Sequence, residues 1–228
     1  MVKIERKDTP KAQAAIASLK SEKVKPSGTY NTPEVNDALQ EMFAHKCYLC
    51  EQKGLKSIQI EHLVPHHDDI DLKFDWNNIF LACTHCNNIK NDRFVPILDC
   101  TKVAIDEKIA FRRYGGVYEP SELTFTALND DTKTQHTVAL LKEIYYGSTP
   151  QKIAEAKMLH GDVADELDKF QKSLREYQEA DGEDKIDAEC LISMSLKWNK
   201  PFAAFKRWVI RDHFPELIKY CLLYTSPS

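Results

Sequence analysis

The chain has 228 residues, of which 43% are hydrophobic and 29% charged, with a net charge of -4 and only seven glycines. That length allows a substantial core or a small module with a helical extension, and the composition excludes a low-complexity or long flexible chain. No apolar run reaches membrane-spanning length and the start, Met1-Val-Lys-Ile-Glu-Arg-Lys-Asp, lacks a secretory hydrophobic segment, so the expectation is an intracellular, cytoplasmic protein with no membrane contact.

The seven cysteines point the same way. Four form Cys-x-x-Cys pairs, Cys47/Cys50 and Cys83/Cys86, while Cys100, Cys190 and Cys221 stand alone, a pattern that suits a reducing compartment better than a disulfide framework. The average charge hides local basic groups at Lys3 to Lys25, at Lys90, Arg93, Arg112 and Arg113, and at Lys197 to Arg211, whereas acids gather between Glu155 and Glu189. Nucleic-acid binding depends on such local positive potential rather than on the total.

Residues 1–30 read as a basic N-terminal arm available for docking, with a helix-compatible stretch from Ala12 to Leu19 and a break at Pro26-Ser-Gly. Residues 31–100 read as one domain. Thr32-Pro33-Glu34 supplies an N-cap, a first-turn proline and an early acid, and Val35, Leu39, Met42 and Phe43 recur at helical spacing, so a helix is predicted to about His45. From Cys47 to about Leu63 the pattern predicts a hairpin, with a turn near Lys53-Gly54 and His62 at the end of its second strand. A loop from Pro65 to Asp75 leads to Trp76-Asn-Asn-Ile-Phe-Leu-Ala-Cys, and a short helix is predicted from Asn87 to about Phe94, closed by Pro96.

Residues 101–134 predict an accessory β segment: Lys108 to Arg113, Val117 to Tyr118 across Gly115-Gly116, then Leu123 to Ala127. Residues 135–223 predict a helical C-terminal region, in which Val163, Leu167, Phe170, Leu174 and Tyr177 form a stripe that seeks another helix, either Leu191 to Trp198 and Phe202 to Ile210 or a second chain. Residues 224–228, Tyr-Thr-Ser-Pro-Ser, read as a non-native tail. The fold class expected is α+β, predominantly α-helical.

Zinc takes four thiolates tetrahedrally, and the short spacing within each pair lets one turn present two sulfurs to one ion. Cys47, Cys50, Cys83 and Cys86 are therefore expected to hold a structural zinc and staple the segment they enclose. That segment and its continuation contain the parts of phosphodiester hydrolysis, which needs a base, a nucleophilic water and a cation. His62 is the expected base, because imidazole titrates near neutral pH. Glu61 and Asn87 offer hard oxygen ligands suited to magnesium or manganese. Lys90 lies one helical turn after Asn87 and, with Arg93, is expected to meet phosphate. Asn78 is expected to hydrogen-bond the loop backbone and orient His62. His66, His67 and Asp68 read as solvated loop residues, with an added ligand or a substrate contact as the alternative, and His85 as shaping the knuckle. Cysteine pairs alone would equally suit a zinc ribbon that binds nucleic acid or protein without cutting.

Glu61-His62-Leu-Val-Pro65, Asn78, and Cys83-Thr-His-Cys86-Asn87-Asn-Ile-Lys90 together resemble the HNH endonuclease superfamily, the ββα-metal nucleases with a zinc-ribbon staple, over Cys47 to Phe94. The resemblance implies a DNA endonuclease in which His62 is the first-letter histidine and base, Asn78 the middle asparagine and Asn87 a metal ligand in the third position, with Glu61 where aspartate is common. A narrower similarity runs through Lys3-Ile-Glu-Arg, Phe74-Asp-Trp-Asn-Asn-Ile-Phe-Leu-Ala-Cys, Ile97-Leu-Asp-Cys100 and the helical half. Those stretches look like the PtuB-type HNH effectors of Septu and retron-associated anti-phage systems, which implies an ABC or SMC-like ATPase partner. A stand-alone restriction or homing nuclease shares the chemistry without the partner.

Overall fold

The computed structural model describes residues 1–55, 57–115 and 121–222. Helix α1 (Pro10–Lys23) and helix α2 (Pro33–Met42) lead into a cysteine turn, then β1 (Ile58–His62), a short helix α3 (Ile70–Lys73), β2 (Ile79–Cys83) and helix α4 (Thr84–Lys90). A second pair of strands follows, β3 (Ile109–Tyr114) and β4 (Glu122–Ala127), and then the helices α5 (Thr132–Tyr146), α6 (Pro150–Glu179), α7 (Gly182–Ser195), α8 (Ala203–His213) and α9 (Ile218–Leu222). The architecture is α+β and mostly helical. Among the described residues no helix is long and apolar enough to cross a membrane.

Three helices start on the same dipeptide. Thr9, Thr32 and Thr149 each accept a hydrogen bond from a backbone N–H of the first turn, and the proline that follows sits where a helix has no use for its missing donor. The first of these helices exceeds its expected length. It carries Ala12, Ala15 and Leu19 into the core, and the preceding residues Val2 and Ile4 are buried as well.

The first 30 residues, expected as a basic arm, thus pack on the domain that follows. Arg6 shows why: its guanidinium lies 4.7 Å from the Phe80 ring centre and 5.2 Å from that of Trp76, and donates to the Ile79 carbonyl at 2.6 Å. Aromatic faces and a carbonyl compensate the charge that burial removes from water.

The strand expected to pair within a Cys47–Leu63 hairpin has another partner. β1 runs antiparallel to β2, with Glu61 opposite Phe80 and His62 opposite Ile79, and the cysteine turn keeps only an isolated bridge between Lys46 and Lys53. Every residue of β2 is buried. It is the fully buried apolar strand, so it offers β1 the better surface. Helix α4 begins at Thr84 rather than Asn87 because the Cys83 sulfur caps it, accepting from the Cys86 N–H at 3.4 Å.

β3 and β4 form the accessory pair, in register from Ile109 opposite Ala127 to Tyr114 opposite Glu122. The expected strand piece at 117–118, part of the glycine turn and the 224–228 tail lie outside the described residues. The α6 stripe finds its partners within the chain. Phe170, Leu174 and Tyr177 share a cluster with Ile192, Leu196, Ile210 and Phe214, while Val163 and Leu167 join the main core with Phe205. A helix stripe of this kind gains its stability from burial against neighbours, as here from α7 and α8.

Candidate active site

At one end of the β1–β2–α4 unit, the turn after α2 presents Cys47 and Cys50, and the β2–α4 junction presents Cys83 and Cys86. The four ligand sulfurs lie within 4.8 Å of one another and all four residues are buried. The Cys50 and Cys83 sulfurs are 3.9 Å apart. A tetrahedron with Zn–S bonds of about 2.3 Å needs sulfurs roughly 3.8 Å apart, so the residues fit zinc. Burial pushes the thiols of Cys50 and Cys86 well above their ordinary value. Four thiolates persist in such a place only beside a cation that compensates their charge. Among the described residues, this is the only cluster of three or more His, Cys, Asp or Glu side chains with metal-holding geometry.

His85, between Cys83 and Cys86, reaches outward from the knuckle. Its Nδ1 is 2.6 Å from Glu155 Oε2 on α6 and its Nε2 is 2.8 Å from the Ile144 carbonyl on α5. The imidazole therefore ties the finger to the helical region.

The other end of the unit carries a cleft of about 340 Å³, lined among others by Tyr30, His62, His66, Asn87 and Asn91. His62 ends β1 and is 9% exposed. Its Nε2 is 3.0 Å from the Lys73 carbonyl, which can only accept, so this nitrogen carries the proton and Nδ1 is left with a free lone pair. Burial pulls the imidazole below its ordinary pKa, with the Lys73 contact opposing. The downward shift from burial favours a neutral ring, and the tautomer leaves Nδ1 as its basic nitrogen, the form a general base requires.

Asn78 clamps the chain that follows His62. Its Oδ1 accepts from the Val64 N–H at 2.8 Å, and its Nδ2 donates to the Val64 carbonyl at 2.8 Å and the Leu72 carbonyl at 3.1 Å. The Asn78 carbonyl takes the Leu63 N–H at 2.9 Å. One buried amide thus spans both sides of the loop that begins and ends at His62's own contacts.

Glu61 and Lys90 are placed differently from the sequence expectation. Lys90 is 0% exposed, with Nζ 2.5 Å from Glu61 Oε1 and 2.9 Å from the His62 carbonyl oxygen. The second Glu61 oxygen accepts from the Tyr48 hydroxyl at 2.5 Å. Neighbouring residues of a strand point to opposite faces, so as His62 turns to the cleft, Glu61 turns inward under α4. Burial raises the Glu61 carboxyl to about 7, against the opposing pull of Lys90 and Tyr48. Lys90 offers no vacant face to a phosphate in this arrangement, whereas Glu61 also lines the cleft, with its two oxygens engaged by Lys90 and Tyr48. Asn87 lines the cleft at its partly exposed edge, and Arg93 is exposed beyond it, its guanidinium 5.6 Å from the Phe94 ring centre. His67 and Asp92 sit across the rim with 3.7 Å between them.

Two contributors were not legible in the spacing. Tyr48 lies inside the first cysteine pair, where the metal pattern draws the eye past it. Tyr30 comes from the segment before α2 and stands edge-on to His62, ring centres 4.7 Å apart.

A buried four-sulfur knuckle that fits zinc is joined to a strand–strand–helix unit with an oriented histidine at a strand end, an arrangement consistent with an HNH-like α+β fold. Residues 47–93 match the HNH endonuclease family model, so the chain carries an HNH endonuclease domain there. No curated protein and no solved structure matches the chain.

Proposed function

We propose that the protein is a metal-dependent endonuclease that hydrolyses phosphodiester bonds in DNA. The observation that carries this reading is the His62 ring: Nε2 is held on the Lys73 carbonyl, and the basic Nδ1 is free at a cleft that Asn87 also lines. His62 takes the proton of the attacking water at Nδ1. Asn87 offers its amide oxygen to a magnesium or manganese ion, which when bound neutralises charge on the scissile phosphate and leaving oxygen. Asn78 positions His62 through the loop. Glu61 and Lys90 support the site from beneath, since the lysine holds the His62 carbonyl and the glutamate holds the lysine. Arg93 is the exposed cation available to flanking phosphate.

The stretches Phe74 to Cys83 and Ile97 to Cys100 support a finer reading, in which the chain is the nuclease effector of an anti-phage system and acts with an ABC or SMC-like ATPase. Purified protein should nick plasmid DNA with magnesium or manganese and stop when the divalent ion is withdrawn. Co-purification with the products of adjacent genes tests the partner. An active nuclease that forms no complex with any neighbouring ATPase would leave the chemistry standing and remove the defence assignment.

A further inference from the structure

The cleft over His62 does not end at Tyr30. A second hollow of about 290 Å³ continues on the far side, lined by Gly28, Thr29, Tyr30, Asn31, Gln59, Ile60 and Lys73. The two hollows share Tyr30 and Ile60 in their walls, so the tyrosine stands as a post between them. Its ring is perpendicular to His62 and 6.5 Å centre to centre from His66, which in turn is 4.9 Å from His62. The Tyr30 hydroxyl has no hydrogen-bond partner among the described residues.

The wall that carries Tyr30 is held in place. Gly28 is packed so tightly that a Cβ there would come within 1.9 Å of the Glu22 carbonyl oxygen. Thr29 N–H donates to Glu22 Oε2 at 3.0 Å, Asn36 Nδ2 donates to Asn31 Oδ1 at 2.7 Å, and Lys73 Nζ donates to the Gly28 carbonyl at 3.4 Å. Lys73 belongs to both sides of the arrangement, since its carbonyl also orients His62. A preorganised wall of this kind binds at lower entropic cost than a mobile one.

Resting on the nuclease reading of the same site, we infer that these two hollows take consecutive unpaired nucleotides of a DNA strand, with Tyr30 as the residue on which a base stacks beside the scissile phosphate. The two hollows are of similar volume, about 290 and 340 Å³, with one aromatic ring between them. The lining suits the ligand: an aromatic ring with a free hydroxyl for the base, the Gln59 and Asn31 amides for its edge, and the Lys73 ammonium for the backbone. Aromatic faces bind bases of any sequence, which is how single-strand binders hold a chain without reading it. The substrate is accordingly a single strand or a locally opened duplex rather than closed B-form DNA.

Full-length His62→Ala protein without added divalent metal gives a binding test independent of cleavage. Oligonucleotides carrying 2-aminopurine report stacking by loss of fluorescence. The single strand should quench on binding and bind more tightly than the blunt duplex of the same sequence. Adding Tyr30→Leu, which keeps apolar bulk, should abolish the quench and weaken single-strand affinity about tenfold, the scale of one base–aromatic stack. Tyr30→Phe should retain both. Unchanged affinity and quench in Tyr30→Leu, or tighter binding of the closed duplex, would overturn the inference. In the otherwise unsubstituted protein, the absence of cleavage of any DNA with magnesium or manganese would instead sink the nuclease reading and leave the binding result intact.

Discussion

At one end of the finger four cysteines are buried around a single point, and their neighbours close over them. At the other end, some residues away along the same strands and helix, an imidazole with one nitrogen fixed and one free faces an open cleft. On the proposed reading, one small unit divides stability from chemistry. The sulfur end is saturated by what it contains, so it has no capacity left for substrate. The histidine end keeps a lone pair and an amide unspent, and depends on buried residues behind it for its shape. Between them Lys90 and Glu61 form a charged spine, with no exposed surface on the lysine.

The most severe way to break this division is at the sulfur end. Cys83→Ser should unfold the finger, because structural zinc contributes on the order of 10 kcal/mol of folding free energy in zinc-finger peptides. Zinc content by mass spectrometry should fall together with the first thermal transition. A Cys83→Ser protein that melts like the unsubstituted chain would show that the sulfurs are not a staple.

The spine is next. Lys90→Ala removes the cation that opposes burial at Glu61, so the carboxyl takes up a proton and the loss grows with pH towards the about 3–5 kcal/mol of a broken buried pair. Lys90→Met together with Glu61→Gln removes both charges and should recover most of that loss in a denaturant titration. A Lys90→Ala protein of normal stability whose only defect is weak DNA binding would restore the phosphate role expected from sequence. His62→Ala is the converse experiment: cleavage should drop by about 10²- to 10⁴-fold, the usual worth of a general base, far more than the loss of its Lys73 hydrogen bond, about 1 kcal/mol of stability, accounts for. Cleavage at the unsubstituted rate would remove His62 as the base.

The same contrast explains what the sequence could reveal. The cysteine spacing names its own ligands, since two residues between sulfurs leave few geometries. His62, Asn78 and Asn87 were legible because their order along the chain is distinctive, and the α6 stripe because a 3.6-residue period needs no partner to be seen. Lys90 was misplaced for a physical reason. Helical spacing correctly put it on the same side as Asn87, but only the pairing of β1 with β2 decides that Glu61 lies beneath it. Arg6 shows the same limit. A cluster of basic residues reads as an arm available for docking until the aromatic faces of Phe43, Trp76 and Phe80 are brought around one of them. Tyr30 left no signal at all, because its role comes from a tertiary juxtaposition with residues about 30 positions further on.

Asn78→Ala tests whether the loop clamp belongs to the chemistry or merely to the fold. It removes the side-chain hydrogen bonds to Val64 and Leu72, worth about 0.5–1.5 kcal/mol each. Stability should therefore fall by roughly 1.5–4.5 kcal/mol in total. If the clamp also sets the His62 ring, cleavage measured well below the melting temperature should decline by more than the folded fraction accounts for, with substrate affinity little changed. A decline matching only the loss of folded protein would restrict Asn78 to stability.

His85→Ala is the mildest change and separates the two ends most cleanly. The imidazole sits beside two zinc ligands, yet its contacts run away from the cleft, to the partly exposed Glu155 on α6 and the Ile144 carbonyl on α5. Solvent screening at Glu155 keeps that pair weak, so the loss should be about 1 kcal/mol, seen as a small downward shift of the melt. Zinc content should not change, because no sulfur is touched. If the sulfur end only holds the unit together, cleavage should also stay the same. A clear drop in cleavage with zinc retained would mean that docking of the finger on α5 and α6 is transmitted through α4 to Asn87, and that the two ends are mechanically coupled rather than merely joined.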